Sequence, residues 1–439
     1  MVENKNIDRG ARRSLVKIIQ DANFSDFYIS NSYNKGRPNA IDPQAKRMSY
    51  ELIRNSQKYV SNTQINGLST FLANSFAALS QQNGPITELN FRGFELRCKQ
   101  WRKLTTIYIG KNQITSPTGE NQLITIDAVF GSHNPFKEEW GTSVGTSVCQ
   151  LFNNEYFWDL FAGKIVREAT NGLFAISDYG ISNFIKDLSE AIVNNGVENF
   201  NIYSIAEKKY KGRVYFTVLY NVPEFIEKII NVGNIPIVEV IPNPNYNPPV
   251  IKTNSRTLTT PLTFVFYEEL NRWKSFEGFY PEMYGTLGSQ LFSFQNGGLW
   301  IHDSDNIPAN NFYGVQQPTL LTFCTNPQER VVKNPMSMEI HSNQPWDCAN
   351  TGDITIAAGP NSILPQLSRL KPNKFVKKKN LFFAAFDRNI NTPNLPPGKN
   401  AIVDGDVLYY NEMLVTLNNL TGNPTDISKV IVEAQINKY

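Results

Sequence analysis

The side chains that could do chemistry are scattered along the sequence. The three histidines, His133, His302 and His341, lie far apart, and none of them shows H-x-x-x-H spacing. This argues against a metal site and against a Ser-His-Asp triad. His302 stands beside Asp303 and Asp305. We predict an ordinary residue at the end of a strand there, in preference to a pH-sensitive or metal-binding site.

Carboxylates are numerous, but the sequence singles out no pair of them. A glycosidase needs two carboxylates a defined distance apart, and the candidates are Glu138, Glu139, Asp159, Asp178, Glu268 and Glu282. The repeated S-x-D-x-G-x-x-W turns of sialidase-like propellers do not occur. The glycine-rich residues 141–145 follow no strand-to-helix order, which favours a tight bend over a phosphate loop. We therefore predict no enzymatic activity and no cofactor.

The four cysteines, Cys98, Cys149, Cys324 and Cys348, form no C-x-x-C pair. This argues against a zinc module and predicts buried free thiols.

One charged cluster is dense enough to bind a partner. It consists of Arg369, Lys371, Lys374, Lys377, Lys378 and Lys379, interrupted by Pro372 and Phe375. Such a run could contact DNA phosphates or a negatively charged partner, and a solvated loop is the simpler alternative. We keep these six residues as the candidate site for DNA or partner contact.

The elements that must position these residues are mostly strands. Composition points the same way, because 12% aromatic residues, 25 prolines and 27 glycines in 439 residues suit many short strands joined by turns. The net charge of +3 gives no whole-surface attraction to DNA or to an anionic membrane. Residues 1–14 lack the apolar core of a secretory signal, and the apolar residues 229–241 are too short to span a bilayer. We expect a protein made in the cytoplasm without stable membrane insertion.

Residues 263–326 are the stretch around which the chain is organised. Thr263-Phe-Val-Phe-Tyr and Trp273-Lys-Ser-Phe predict one hairpin, and residues 291–294 and 298–302 predict a second around Gln-Asn-Gly. Four strands in a meander are typical of one propeller blade. Further strands are predicted at 94–98, 105–109 and 122–126, and another meander, a second blade-like unit, over residues 142–168.

The rest of the chain is divided by changes in its pattern. Helices are predicted over residues 12–21, 49–59 and 68–79, with an arm at 31–47, and an amphipathic helix over 181–192. Strands are predicted at 200–205 and 213–220, an irregular linker at 238–256, and terminal strands at 354–358, 380–386, 407–410, 413–417 and 429–436. We predict an N-terminal arm and helical platform (1–83), a β-propeller-like domain (84–350) and a C-terminal β-module (351–439).

Several motifs carry a resemblance to a known family. They are W-K-S-F from Trp273, Y-P-E from Tyr280, L-F-S-F-x-N-G-x-L-W-I-H from Leu291, N-x-F-Y-G from Asn310 and T-F-x-x-N-P from Thr322. Others follow a similar order elsewhere, with G-K-x-x-R from Gly163, N-G-L from Asn171, I-S-x-Y-G from Ile176 and G-D-x-L from Gly405. Together they resemble the tail nozzle ("muzzle") proteins of short-tailed bacteriophages, in particular the crAss-like phages.

The resemblance implies a structural virion protein. Its subunits form a ring, typically of six copies, whose channel retains and later passes the DNA genome. The ring docks on portal and adaptor proteins and carries tail fibres, so the implied location is the virion tail. The chain departs from the family in being considerably shorter, which leaves the gating elements in doubt.

The fold class predicted is mainly β, a degenerate propeller of four-stranded meanders with a few N-terminal helices, and a β-sandwich is the alternative. Two rival functions stay open. A receptor- or glycan-binding tail protein predicts a ligand pocket on one face, and a polysaccharide-degrading tail enzyme predicts a close acidic pair in a groove.

Overall fold

The computed structural model describes residues 49–436 except for short segments, namely 58, 60, 63–66, 116–118, 120, 210–211, 223, 233–234, 244–245, 253–256, 327, 329, 345, 347–353, 359–365, 380 and 420. The predicted helix at 12–21, the arm at 31–47 and Cys348 lie outside the described residues. The chain divides into two compact units, Met1–Val193 and Asn194–Tyr439. The described part is mainly β, with several antiparallel sheets of which none is closed.

The first described elements are strands where we predicted helices. β1 (Leu52–Arg54) pairs with β2 (Phe76–Ala78), so the helices predicted over 49–59 and 68–79 are wrong. Ile53 and Ala77 are buried in a cluster with Cys98 and Ile107. Packing against these neighbours overrides the helical spacing of leucines and phenylalanines, because local propensity is a weak constraint compared with tertiary burial.

The first large sheet of unit 1 is a meander of four strands in sequence order. Its strands are β3 (Ile86–Arg92), β4 (Glu95–Gln100), β5 (Leu104–Thr115) and β6 (Asn121–Pro135). The strands predicted at 94–98, 105–109 and 122–126 are therefore confirmed. β5 and β6 make a hairpin of 12 and 15 residues with two register shifts along its length.

The second sheet of unit 1 is also a four-strand meander, followed by a helix. Its elements are β7 (Cys149–Leu151), β8 (Asn154–Asp159), β9 (Lys164–Ala169), β10 (Gly172–Ala175) and α1 (Ser182–Asn194). This confirms a second meander, although its first strand begins at Cys149 and not at Thr142. The helix is confirmed too, with Ile185, Leu188 and Ile192 fully buried.

Buried charges join the two sheets of unit 1. Lys99 of β4 contacts Glu155 of β8 with 2.5 Å between Nζ and Oε2, and both side chains are at most 3% exposed. Arg97 of β4 contacts Glu168 of β9 at 3.0 Å, and Arg92 of β3 contacts Glu155 at 3.4 Å. Burial opposes the ionisation of Glu155, but the ammonium of Lys99 and the guanidinium of Arg92 bring its pKa below its usual value.

Unit 2 begins with a four-stranded sheet whose strands are distant in sequence. The order is β11 (Phe200–Glu207), β12 (Arg213–Tyr220), β17 (Leu262–Tyr267) and β18 (Arg272–Glu277). Two hairpins are inserted between β12 and β17, formed by β13 (Phe225–Val232), β14 (Ile235–Pro242), β15 (Val250–Lys252) and β16 (Thr257–Thr259). The linker predicted at 238–256 is therefore partly strand.

The next sheet corrects the predicted propeller blade. β19 (Met283–Leu287), β20 (Gln290–Gln295) and β21 (Gly298–Ile301) form a separate three-stranded sheet, followed by the small hairpin of β22 (Asn311–Phe312) and β23 (Val315–Gln316). Both hairpins predicted over 263–302 are confirmed, and Asn296 and Gly297 have the positive φ that a tight turn requires.

The four strands of the predicted blade nevertheless belong to two sheets. β17 pairs with β12, and the rings of Phe216, Phe264 and Trp273 pack together across that sheet. Burial of these large rings fixes the partner of β17, and short-range spacing along the sequence does not contain that information.

Residues 319–436 form a β-sandwich. One sheet has the order β24 (Thr319–Thr325), β30 (Met413–Asn419), β26 (Ile354–Ala358) and β27 (Gln366–Leu370). The other has the order β28 (Val376–Lys378), β29 (Leu381–Ala385), β25 (Lys333–Ser342) and β31 (Ile427–Ile436). A short helix, α2 (Ala401–Asp404), precedes β30.

The two sheets of the sandwich enclose one hydrophobic core. Ile340 and Phe382 come from one sheet, and Leu370 and Val415 come from the other. Along β30, buried and half-buried residues alternate, as expected for a strand with one face in a core. The C-terminal module was predicted to begin at residue 351. β24 and β25 lie before that residue and pair, in these two sheets, with strands that follow it. The strand predicted at 407–410 is replaced by a single bridge between Tyr410 and Lys333.

Candidate functional site

The six basic residues singled out from the sequence lie together on one side of the sandwich. Arg369 is on β27, Lys371 and Lys374 flank the turn that follows, and Lys377 and Lys378 are on β28, with Lys379 in the next turn. β27 and β28 are each the last strand of their sheet. All six residues are exposed. We call this set the basic edge.

The contacts of the basic edge leave most of its charge toward solvent. Lys374 pairs with Asp387. The ammonium of Lys377 lies 5.7 Å from the ring centroid of Phe382, on which the aliphatic part of the lysine side chain can rest. Val376, next to the lysines, is also exposed. The arrangement can bind phosphates through Coulomb attraction. It can also keep other chains from joining the edges of β27 and β28, which pair with no further strand among the described residues.

The carboxylates considered for glycoside cleavage serve other purposes where the structure shows their contacts. Asp159 is buried and accepts hydrogen bonds from the backbone N–H groups of Gly141 at 3.0 Å and Ala162 at 2.9 Å. Burial raises its pKa. Asp178 pairs with Lys164 at 3.1 Å, and this pair is exposed at Asp178 and half-buried at Lys164. These contacts make Asp159 an organiser of two loops.

The bend at 141–145 follows from a close approach of backbone to backbone. A Cβ atom on Gly141 would lie 1.9 Å from the carbonyl oxygen of Gln100, so only glycine fits. The predicted bend is thus a non-strand connection between the two sheets of unit 1.

Histidines and cysteines do not converge on a metal site in the part of the chain that the structure describes. No group of three or more His, Cys, Asp or Glu side chains there could hold a metal ion. His133 is on β6 and His341 is on β25. The prediction of buried free thiols holds for Cys98 and is wrong for Cys324, which is exposed and donates to Glu412 at 3.1 Å. Partial desolvation of the thiol and this carboxylate raise the pKa of Cys324 to about 11.

His302 has a more specific environment than the sequence suggested. Its Nε2 lies 2.6 Å from Ser293 Oγ, and its ring is 4.6 Å from that of Phe279. Burial lowers the pKa of His302 to about 4, so the ring is neutral at physiological pH. The neighbouring Asp303 pairs with Arg213 of β12, whose guanidinium also contacts Glu207 at 2.6 Å. Sequence reasoning missed this ionic cluster, although Glu207 and Arg213 face each other across one hairpin.

Sequence reasoning also missed an exposed apolar face on the three-stranded sheet. Strand register places on this face Met283, Leu287, Phe292, Phe294, Leu299 and Ile301. Apart from the half-buried Phe292, these side chains are between 40% and 76% exposed. The opposite face carries Leu291 and Ser293, which are fully buried. We call the exposed side the apolar sheet face. Its signal in the sequence was the run Leu-Phe-Ser-Phe, in which both faces of a strand carry apolar residues.

The chain was compared with protein-family models and with curated proteins. No protein-family model matches the chain, and no curated protein matches it either. Within the described residues, none of the helices has both the length and the apolar character required to cross a bilayer.

Proposed function

We propose that this chain is a structural virion protein of a short-tailed bacteriophage. In this proposal it is a subunit of the distal tail nozzle, a ring whose channel retains and then passes the DNA genome and which supports the tail fibres. Its role is mechanical and not catalytic. Its partners are further copies of itself, adaptor and fibre proteins of the tail, and the DNA in the channel. The motifs beginning at Trp273, Leu291 and Asn310, which resemble the nozzle family, support this proposal.

The observation that carries the proposal is the apolar sheet face. It is built from the same stretch that carries the family resemblance, and it places five well-exposed apolar side chains side by side. Contiguous apolar surface of this kind marks interaction sites in proteins that stay in solution. Burying such side chains contributes on the order of 1 kcal/mol each when about half of the side chain is exposed beforehand. Contact of this face with a different surface of the next copy generates a ring when the rotation between copies closes.

The proposal needs only the mainly β architecture, and a propeller arrangement of the sheets is not required for it. The basic edge can serve the same nozzle role, because a lysine-rich strand edge attracts DNA phosphates or acidic tail proteins through charge alone.

Native mass spectrometry and cryo-electron microscopy of the purified protein test the proposal. We expect a closed ring for the unmodified chain and smaller species for Leu299→Lys combined with Ile301→Lys, since each change places an ammonium in the interface. Val403→Lys is the matched control, because Val403 is 70% exposed and lies on α2, outside the apolar sheet face. A strict monomer at all concentrations, or a ring unaffected by the double substitution, contradicts the proposal.

A further inference from the structure

A cleft in unit 2 has the chemistry of a ligand site. Its volume is about 520 Å³, within the range of roughly 300–1,000 Å³ that small-molecule sites occupy. It lies where the end of β12, the residues before β17, the connection from β18 to β19 and the hairpin of β22 and β23 meet. Tyr220, Tyr246, Tyr280 and Tyr313 line it, and we call it the tyrosine cleft.

The aromatic wall of the cleft is held in place by its neighbours. The rings of Tyr220 and Tyr246 are 5.8 Å apart at an angle of 53°. The backbone N–H of Asn247 donates to the hydroxyl of Tyr220 at 3.3 Å, and the hydroxyl of Tyr313 lies 3.1 Å from Ser293 Oγ. Tyr246 is 37% exposed, so part of its surface remains available to a ligand.

Two polar atoms lining the cleft are unsatisfied. Gln295 Oε1 and Thr260 Oγ1 are buried and have no hydrogen-bond partner among the described residues. A buried polar atom left in this state is costly, and a ligand that donates hydrogen bonds removes that cost once these side chains turn toward the cleft. The carbonyl oxygen of Gln295 can only accept, so it selects a ligand with O–H or N–H donors.

The charge of the cleft excludes anionic ligands. Among the described residues that line it, Glu282 is the one charged side chain, and its Oε1 accepts from the backbone N–H of Asn296 at 3.1 Å. A carboxylate repels phosphates and carboxylates, and no described lining residue carries a positive charge to offset it. Aromatic rings, acceptor oxygens and the lack of a lining cation together favour a neutral, hydroxyl-rich molecule with one apolar side.

We propose that the tyrosine cleft binds a neutral saccharide of one or two sugar rings. The C–H face of a pyranose packs on Tyr246, and its hydroxyl groups donate to Gln295 Oε1 and Thr260 Oγ1. The site goes beyond the structural role proposed above, because a nozzle ring forms with or without it.

Saturation-transfer NMR and calorimetry on the full chain test this proposal. The probes are glucose, galactose, mannose, N-acetylglucosamine and their β-linked or α-linked disaccharides, with sialic acid and glucose 6-phosphate as anionic comparisons. We expect at least one neutral probe to bind with a Kd near the millimolar range and the anionic probes to bind at least tenfold more weakly.

The variants Tyr246→Ala and Gln295→Ala should each raise that Kd at least about fivefold, since each loses roughly 1 kcal/mol of contact. Tyr409→Ala is the matched control, because Tyr409 is 38% exposed and is not among the cleft residues. Tyr246 is on the surface, so its variant keeps the test valid even where Gln295→Ala does not fold. No binding of any neutral probe, or binding that both cleft variants leave unchanged, overturns the proposal. The oligomeric state of these variants reports separately on the nozzle role.

Discussion

Removing the ammonium of Lys99 should loosen the contact between the two sheets of unit 1. In Lys99→Met the side chain keeps its unbranched apolar stem and loses the ammonium, so Glu155 loses a partner 2.5 Å away while remaining almost completely buried. Arg92 at 3.4 Å and Asn90 at 3.3 Å still contact this carboxylate. Breaking a buried pair by removing one partner costs about 3–5 kcal/mol. We expect a loss of about 3 kcal/mol, at the lower end, because those two partners remain.

Hydrogen exchange followed by mass spectrometry measures this loss within unit 1. A loss of about 3 kcal/mol corresponds to roughly a hundredfold faster exchange, since each 1.4 kcal/mol is tenfold. The peptides to follow cover β8 and β9, which carry Glu155 and Glu168. Exchange is a better measure here than a single melting temperature, because the chain has two compact units and need not unfold in one step.

Lys164→Met is the matched control for this experiment. Lys164 of β9 pairs with Asp178 at 3.1 Å, but the two side chains are 33% and 48% exposed. Exposed pairs contribute about 0–1 kcal/mol, so this variant should exchange less than about fivefold faster. The double variant Lys99→Met with Glu155→Gln should exchange about tenfold more slowly than Lys99→Met alone, because it leaves no uncompensated buried carboxylate. The reasoning fails if Lys99→Met and Lys164→Met behave alike.

Two further predictions concern titration and charge. The pKa of His302 is lowered to about 4 in the folded protein, so between about pH 4 and pH 6.5 the unfolded chain binds a proton on His302 that the folded chain does not. The free energy of unfolding should therefore be highest above about pH 6.5 and fall by about 3 kcal/mol as the pH drops to about 4. Urea unfolding of His302→Gln should lack that part of the acid destabilisation, and an unchanged pH profile contradicts the assignment. Replacing Lys377, Lys378 and Lys379 by Glu should weaken binding of fluorescein-labelled duplex DNA and reduce the salt slope by about 3, measured by anisotropy. Lys429→Glu serves as the control, and equal affinities would mean that the basic edge only protects the strand edges.

Local patterns predicted the elements better than their partners. The alternation in β4, β5 and β6, the helical spacing of Ile185, Leu188 and Ile192, and the Asn-Gly turn at 296–297 each contain enough information to define one element. The partner of a strand is decided by contacts across the fold. β17 was predicted to share a sheet with β20 and β21, yet it pairs with β12, from which two inserted hairpins separate it in sequence.

The candidate sites also differ in whether local sequence could predict them. The exposure of the basic edge could be expected from its composition, because lysine side chains are almost never fully buried unless they are paired. The tyrosine cleft and the pair of Lys99 with Glu155 could not, because their members come from strands and loops that only the folded chain brings together. The apolar sheet face was hidden for another reason. Its phenylalanines and leucines match the spacing of a core strand, and only the folded structure reveals that no described residue covers one side of the sheet.

The strand order of the sandwich has a consequence for synthesis of the chain. β30 lies between β24 and β26, although it is made after both of them. Before residues 413–419 have been translated, β30 does not exist. The backbone groups of β24 and β26 with which β30 later pairs then face a gap one strand wide. A strand from another molecule can present the same N–H and C=O groups to that gap. Until β30 is in place, pairing of this gap with a strand of another copy therefore competes with completion of the sheet.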